Sequence, residues 1–288
     1  MPSAYSGNKG PAGLLRRGLP NMFGGLFLVL TALAVLVPFV WMILTSVQPN
    51  NKSVMSRPYH IPWPPVFQNY INAWKAEPFD VYTFNSFFTA TTIMLLQGIS
   101  SLMAGYVFTF LKIPGRKFLF FMVLAVLMMP AQIAIIPLYT TMVNLGWLDT
   151  YKALIVPFIA DAYGIFLLKQ HLGSLPMDFY EAARMEGAGH LRITFHIMAH
   201  LVKPSLIAYG IMAFKWRWND YFWVLIMTSS TNKRTMPVGL VMMKAVEGVT
   251  QWHLLMAATM IVIGPIIVIY LFMQKYIKND YLAGGIKG

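Results

Sequence analysis

Residues Glu181–Pro204 read EAARMEGAGHLRITFHIMAHLVKP and lie between two strongly apolar parts of the chain. Good helix formers fill positions 181–186, and Gly187 and Gly189 then interrupt them, because glycine inside a helix costs roughly 1 kcal/mol relative to alanine. The segment is therefore predicted to form a short helix, a glycine break and a second helix. The two alanines of the first helix would let the backbone of another protein come close.

The composition of the chain indicates a membrane protein. Of its 288 residues, 57% are hydrophobic and only 11% are charged, against roughly 25% charged residues in a typical soluble domain. The net charge of +12 forms no basic stripe on a soluble face, so membrane lipid is the expected partner and nucleic acid is not. Cysteine is absent, which excludes disulfides and thiolate metal sites.

Six stretches are long and apolar enough to cross a hydrocarbon core about 30 Å thick, which takes about 20 helical residues. The predicted fold class is therefore all-α integral membrane, with six transmembrane helices. The first stretch is too long for a signal peptide and lacks a small-residue cleavage site, so we expect it to be retained. The predicted spans are about 22–47, 82–111, 117–143, 151–171, 204–228 and 254–277.

Charge sets the predicted orientation. With both termini in the cytoplasm, thirteen Lys and Arg residues lie inside and seven outside, which favours this topology. The segment LKIPGRK at positions 111–117 is the sharper signal, because three of its seven residues are cations. The chain is then one permease-like domain, 22–277, between cytoplasmic tails 1–21 and 278–288, and the loop 172–203 faces the cytoplasm.

The 172–203 loop resembles the cytoplasmic EAA loop of bacterial ABC importer permeases. In that family the loop forms a coupling helix that sits in a cleft of the ATP-hydrolysing subunit. Glu186 stands where aspartate is common and keeps the charge, while His200 replaces a usual proline. The residues that carry the resemblance are Glu181, Ala182, Ala183, Gly187 and Pro204. The resemblance implies that Glu181, Ala182, Ala183, Glu186 and Gly187 contact an ATPase.

Polar residues inside the predicted spans form a second candidate site. A charge near the bilayer centre is expensive, so these side chains should face a cavity or a partner. Two interpretations stay open: the charges pair and hold the bundle together, or they line a translocation path in which tryptophans stack on sugar rings. The candidate path residues are Lys215, Arg217, Trp218, Asn219, Asp220 and Asp161.

Further stretches resemble the carbohydrate-importing permeases of the maltose and glycerol-3-phosphate type. They are Trp218–Tyr221, Arg234–Leu240, Gln251–Ala257, Pro114–Arg116 and the tail Ala283–Gly288. This resemblance implies a bacterial inner-membrane subunit that pairs with a different, second permease. Two ATPase subunits, which bind ATP and Mg²⁺, and an external solute-binding protein would complete the importer. The tail would reach the ATPases, with Lys287 as a contact.

The sequence offers no catalytic or metal-binding set. It has neither a phosphate-binding GxxxxGK[ST] loop nor an HExxH motif, so ATP hydrolysis is expected in a partner subunit and no cofactor in this chain. His196 and His200 are one turn apart, but no carboxylate or thiolate is placed to complete a metal site.

Three other functions remain open on the sequence. Lys215 and Arg217 suit a phosphorylated or acidic solute, such as glycerol-3-phosphate, better than a neutral sugar. Asp161, Lys215 and Asp220 could instead form the relay of an ion-coupled secondary transporter. An intramembrane enzyme would use the cluster of His190, His196 and His200. Neither the secondary transporter nor the enzyme explains why a segment rich in alanine and glycine, 181–189, lies between two spans.

Overall fold

The structure, a computed structural model, describes the backbone of residues 11–56, 60–246 and 251–285, and the side chains of 24–56, 60–130, 132–243 and 251–272. Within these ranges the protein is helical and contains no strand. The α-helices are α1 (Pro11–Ser46), α2 (Asn51–Ser56), α3 (Gln68–Ala76), α4 (Phe79–Phe110), α5 (Arg116–Met128), α6 (Ile135–Asn144), α7 (Tyr151–Ile155), α8 (Ala162–Gly173), α9 (Asp178–Met185), α10 (His190–Arg192), α11 (Ala199–Leu201), α12 (Lys203–Trp218), α13 (Phe222–Met227), α14 (Met236–Val246) and α15 (Trp252–Gly285).

Four helical segments are long and apolar enough to cross a membrane: Gly24–Ser46, Phe79–Phe110, Tyr151–Gly173 and Trp252–Phe272. Two helix pairs meet the same test together but are bent, Arg116–Met128 with Gln132–Asn144 by 92° and His190–Leu201 with Lys203–Trp218 by 87°. The described residues therefore hold four to six candidate spans. The predicted all-helical membrane class is confirmed, and the count of six stays a prediction.

The chain divides into two compact units. Residues 1–71 and 251–260 make up the first, in which the side chains of residues 24–40 on α1 are exposed. Two asparagines bond the segments that follow α1 in this unit. The Asn69 amide donates to the Ser46 carbonyl at 2.9 Å, and the Asn51 side chain accepts from Trp252 N at 2.7 Å, which caps the start of α15.

Residues 72–250 and 261–288 form the second unit, which is centred on α4. Helices α8 and α12 both pack along α4. One apolar cluster gathers α4, α7, α13 and α14 around Ile93 and Trp223, and the other gathers α4, α8 and α9 around Leu102 and Leu168. Helix α4 therefore carries core residues at both of its ends and positions both candidate sites.

Pro130 and Pro137 are the expected interruptions of the third predicted span, 117–143, and the chain bends by 92° at the first of them. Helix α5 ends at Met128, and Met129 takes an extended conformation with φ −83° and ψ 128°. Proline at position 130 imposes this, because it disfavours helical geometry in the residue before it and lacks an N–H. Pro137 falls in the first turn of α6, where a missing N–H is tolerated.

The fifth predicted span, 204–228, is wrong as one helix. Helix α12 ends at Trp218 and α13 begins only at Phe222. The Asn219 amide donates to the Lys215 carbonyl at 3.0 Å, and such local side-chain bonds compete with helix continuation. Lys215 consequently lies in the last turn of a 16-residue helix and not at the midpoint of a longer one.

Helix α14 lies between the fifth and sixth predicted spans, where the predicted topology has an outer loop. Met236 and Val238 on this helix are buried, and Met236 N donates to Ser86 Oγ at 2.9 Å. A Cβ at Gly239 would overlap the ring of Tyr82, so only glycine lets α14 lie this close to α4. The predicted loop is therefore partly core.

The side chain of Asp149 joins the loop before α7 to the loop after α13. Asp149 has a φ of +58°, and its Oδ1 accepts from the backbone N–H groups of Ser229 at 3.1 Å and Ser230 at 3.0 Å. Burial alone raises the pKa of the Asp149 carboxyl, but these hydrogen bonds and the nearby Lys233 cation outweigh it, and the net direction is downward. The charged carboxylate therefore holds the two loops together.

Candidate functional site

Helix α9 ends in a turn that requires glycine. Gly187 has a φ of +77°, in the left-handed region that L side chains rarely adopt. Gly187 N donates to the Arg184 carbonyl and Ala188 N to the Ala183 carbonyl, both at 3.0 Å. This pair of bonds is the Schellman motif, and Ala188 packs against the apolar cluster that contains Ala183. The predicted short helix and glycine break are therefore observed, and residue 187 fixes where the chain reverses.

The two alanines of α9 differ in exposure. Ala183 is only 5% exposed and packs in the same cluster as Leu168 and Ile193, whereas Ala182 is exposed. The expectation that both alanines are open to another backbone is wrong for Ala183, because the i, i+3 spacing from Tyr180 turns it to the core. The exposed residues of α9 are Asp178, Phe179, Glu181, Ala182, Arg184 and Met185, and its C-cap residue Glu186 is exposed as well.

The exposed face of α9 combines charge with an apolar tip. Met185 is 88% exposed, and Phe179 is 46% exposed on the same helix. Asp178 and Glu181 lie in the first turn, where a negative charge is favoured by the helix dipole. An exposed methionine between an arginine and a glutamate is suited to a protein contact and not to a small-molecule pocket. Lys287, the other predicted contact, lies outside the described residues.

The segment after the glycine turn is irregular. A π-helical stretch, Ile193–Met198, separates α10 from α11, and the chain then bends by 87° into α12. His196 and His200 are exposed on this segment. Among the described residues, no group of three His, Cys, Asp or Glu is placed to hold a metal.

Asp161 marks a break in the predicted fourth span and bonds to two helices. Its Oδ2 accepts from Gly164 N at 2.9 Å, which caps α8, and from the Tyr209 hydroxyl at 2.8 Å. Tyr209, on α12, is fully buried, and its hydroxyl also lies 3.5 Å from Gln97 Oε1 on α4. Asp161 thus closes a polar contact between α8 and α12.

Arg217 and Asp220 neutralise each other at the break between α12 and α13. The Arg217 Nη1 to Asp220 Oδ2 distance is 2.9 Å, and the guanidinium carbon lies 3.8 Å from the centre of the Phe158 ring. Asp220 Oδ1 also accepts from Trp223 N at 3.3 Å. The two residues therefore form an internal ion pair, and Asp220 neutralises the charge of Arg217 within the chain.

The remaining predicted path residues differ in access. Trp218 is 1% exposed, its indole N–H donates to the Val262 carbonyl at 3.2 Å, and Phe87 and Phe214 cover its ring. No ring face of Trp218 is free for a sugar. Lys215 and Asn219 are exposed.

An apolar groove lies on another face of the second unit. It measures about 610 Å³ and runs between α4, α12 and α15, where Phe87, Gly98, Gly210 and Ile269 line it. Lys203 is its charged lining residue, and none of the six predicted path residues lines it. The groove and the polar cluster are thus separate features.

Sequence reasoning missed the partners that hold these charges. Tyr209, Gln97 and Gly164 surround Asp161, yet none of them was singled out. Gln97 alone gave a signal, because an amide inside an apolar span needs a hydrogen-bond partner. The proximity of Tyr209 could not be read from a separation of 48 residues.

Comparison with known proteins finds one family. Residues 97–282 match the family described as binding-protein-dependent transport system inner membrane component. The sn-glycerol-3-phosphate transport system permease protein of Yersinia pestis is 31% identical over 269 residues, covering 91% of this chain and 95% of its own. The arabinooligosaccharides transport system permease protein of Bacillus subtilis is 31% identical over 276 residues, covering 91% and 94%.

A solved structure shares the fold. One chain of a bacterial ABC transporter involved in the import of the acidic polysaccharide alginate superposes with a TM-score of 0.82. The alignment covers 96% of this chain and 99% of that chain, at 23% sequence identity. The fold is therefore that of a chain in a known transporter.

The packing at Asp161 makes Gly164 a testable position. A Cβ at Gly164 would overlap the ring of Tyr209 and lie 2.5 Å from Ser101 Oγ. We expect Gly164→Ala to destabilise the protein by about 1–3 kcal/mol, the usual cost of overpacking. The measurement is the thermal unfolding midpoint in detergent. Gly98→Ala is the matched control, since nothing lies within 4 Å of a Cβ there. Equal midpoints for the two variants would contradict this packing.

Proposed function

Because this chain belongs to the family of binding-protein-dependent transport system inner membrane components, we propose that it is a transmembrane permease subunit of an ABC importer for a sugar or sugar-like solute. The single observation that carries the proposal is α9. This short helix ends at a turn that only glycine adopts easily. It exposes carboxylates and Met185, whereas the long helices of the chain are apolar.

The proposed position of the chain is a bacterial inner membrane, crossed six times, with both termini and α9 in the cytoplasm. Support comes from the distribution of Lys and Arg and from the two bent helix pairs, which bring the candidate spans from four to six. Arg116, the first residue of α5, also donates to the carbonyls of Thr109 and Leu111 at 3.3 Å, so this cation is fixed at the end of α4.

The proposed assembly contains a second, different permease, two ATPase subunits and an external solute-binding protein. The family description itself names a binding protein. ATP and Mg²⁺ belong to the ATPase subunits, because no phosphate-binding loop occurs in this chain. The proposed contact with an ATPase is α9 with the turn after it, through Glu181, Ala182, Glu186 and Gly187. Ala183 is buried and packs α9 against the other helices. The C-terminal tail with Lys287 is a second proposed contact.

Alternating access is the proposed mechanism. Closure of the two ATPases on ATP would move α9, and the attached helices would open the central path to the outside. The binding protein would then release its solute, and hydrolysis would restore the inward-facing state. Such a transition needs the projecting helix to move together with packed helices, which the burial of Ala183 among Leu168 and Ile193 favours.

The solute is proposed to be a carbohydrate, with a phosphorylated or acidic one as the alternative. Relatives are named for glycerol-3-phosphate and for arabino-oligosaccharides at the same 31% identity. The pairing of Arg217 with Asp220 removes one of the two cations that favoured an acidic solute. Lys215 and Asn219 are the exposed members of the candidate path, so we propose that solute contacts, if they lie at this break, involve these two side chains.

The energy source tests the proposal against ion-coupled transport. Proteoliposomes would carry the chain with the subunits that co-purify in mild detergent, a second permease and an ATPase being expected. With the external binding protein added, we expect uptake of labelled arabino-oligosaccharide or sn-glycerol-3-phosphate to require internal ATP and to survive a protonophore. Uptake that collapses with the protonophore and ignores ATP would support an ion-coupled transporter instead.

Replacement of Gly187 tests the role of α9. We expect Gly187→Trp to abolish ATP-driven uptake while the protein still inserts into the membrane, because the positive φ of +77° strains any other residue and a bulky side chain would project from the turn. Gly189→Ala is the matched control, since its φ of −71° is ordinary and nothing lies within 4 Å of a Cβ. Normal uptake by Gly187→Trp would contradict the coupling role.

A further inference from the structure

Two aromatic contacts fasten α9 and the turn after it to the cytoplasmic end of α4. The rings of Phe110 and Tyr180 stack, with centroids 5.0 Å apart and planes 15° from parallel. The Tyr106 hydroxyl and His190 Nδ1 share a hydrogen bond of 2.8 Å. Tyr106 and Phe110 are 2% and 6% exposed, so both belong to the packed end of α4.

The two contacts lie on opposite sides of the Gly187 turn. Tyr180 belongs to α9, before the turn, and His190 is the first residue of α10, after it. A single contact would let α9 rotate about the turn, whereas two contacts to one helix fix its direction. Arg184 adds a bond within the turn, to the Ala188 carbonyl at 3.2 Å.

The covalent route from α9 onward to α12 is irregular. It passes through the π-helical stretch Ile193–Met198 and then the 87° bend before α12. Helix α4, by contrast, is continuous for 32 residues, which corresponds to about 48 Å at about 1.5 Å per residue. A displacement of α9 is therefore passed on more directly by its contacts with α4 than along the chain towards α12.

We infer that Tyr106, Phe110, Tyr180 and His190 form an aromatic latch that positions the coupling helix and transmits its movement to α4. The inference rests on the proposed function, since it names the residues that connect the ATPase contact to a span. These four are positioning residues that act through α9. At its far end α4 holds the outer loop, where the Asn85 amide donates to the Arg234 carbonyl at 2.8 Å, so the same helix reaches both faces of the bundle.

The test measures movement of α4 in the whole importer. Leu95→Cys places a reporter on an exposed position of α4 in a chain that has no other cysteine. Native membrane vesicles would contain the complete importer, with the external binding protein present. The rate at which a maleimide labels the reporter is compared with and without ATP, Mg²⁺ and vanadate, and ATP hydrolysis is measured in parallel.

Tyr106→Phe and His190→Ala each remove the hydrogen bond and keep the stacked pair. We expect either variant to reduce the ATP-dependent change in labelling roughly fivefold, the scale of one hydrogen bond in an equilibrium, while the ATPase subunits still co-purify. The double variant should be no worse than either single one, because both remove the same bond. Tyr180→Ala should lose the change as well, and Tyr180→Phe, which keeps the ring, should retain it.

His196→Ala and His200→Ala are the controls, since both side chains are exposed on the same segment, and they should behave like the unsubstituted importer. Wild-type labelling changes in Tyr106→Phe and His190→Ala would overturn the latch and leave the proposed function standing. An unsubstituted importer that hydrolyses ATP with no labelling change on α4 would overturn the latch. An unsubstituted chain that associates with no ATPase would overturn the proposed function and the latch together.

Discussion

Backbone groups that are freed at a helix break inside a bilayer have no water to bond, so the protein must supply their partners. The breaks after Phe158 and Trp218 obey this constraint. The carboxylates of Asp161 and Asp220 each accept from a backbone N–H three residues further on, and the Asn219 amide donates to a carbonyl one turn earlier. Polar side chains in these segments therefore have a structural task, whatever else they do.

This constraint explains how the chain combines one long continuous helix with helices that are interrupted by breaks. The helices α8, α12 and α13 are short and are joined at breaks that polar side chains close, whereas α4 runs without interruption for 32 residues. Both apolar clusters of the second unit include residues of α4. A long helix with short, separately hinged neighbours is a suitable arrangement for alternating access, since the neighbours can tilt while their packing against α4 is kept.

The sequence predicted the features that depend on length, apolar content and glycine. The span 82–111 lies within a few residues of α4, and the break at Gly187 lies where the pattern of helix formers ends. It could not predict features set by distant contacts. Trp218 illustrates this, because burial in a core and stacking on a sugar both call for a large flat side chain. The burial of Ala183 was predictable, since a residue three positions after Tyr180 lies on the same face of the helix as Tyr180.

The buried partners of charge were the least predictable part of the candidate site. Arg217 and Asp220 are close in sequence, and their pairing was one of the two interpretations. The contact of Asp161 with Tyr209 depends on how α8 and α12 pack, which no local pattern encodes. Proline at position 130 was visible, but its effect on the direction of the chain depends on what packs on each side.

The proposed function depends on the exposed tip of α9 meeting an ATPase on the cytoplasmic side. The most direct measurement uses Met185→Cys, at a position 88% exposed in a chain without cysteine, in membrane vesicles that contain the whole importer. We predict that an impermeant maleimide labels it only in inside-out vesicles and that a short bifunctional reagent cross-links it to the ATPase subunit. Labelling in right-side-out vesicles, or no cross-link to an ATPase that is present, would contradict the account.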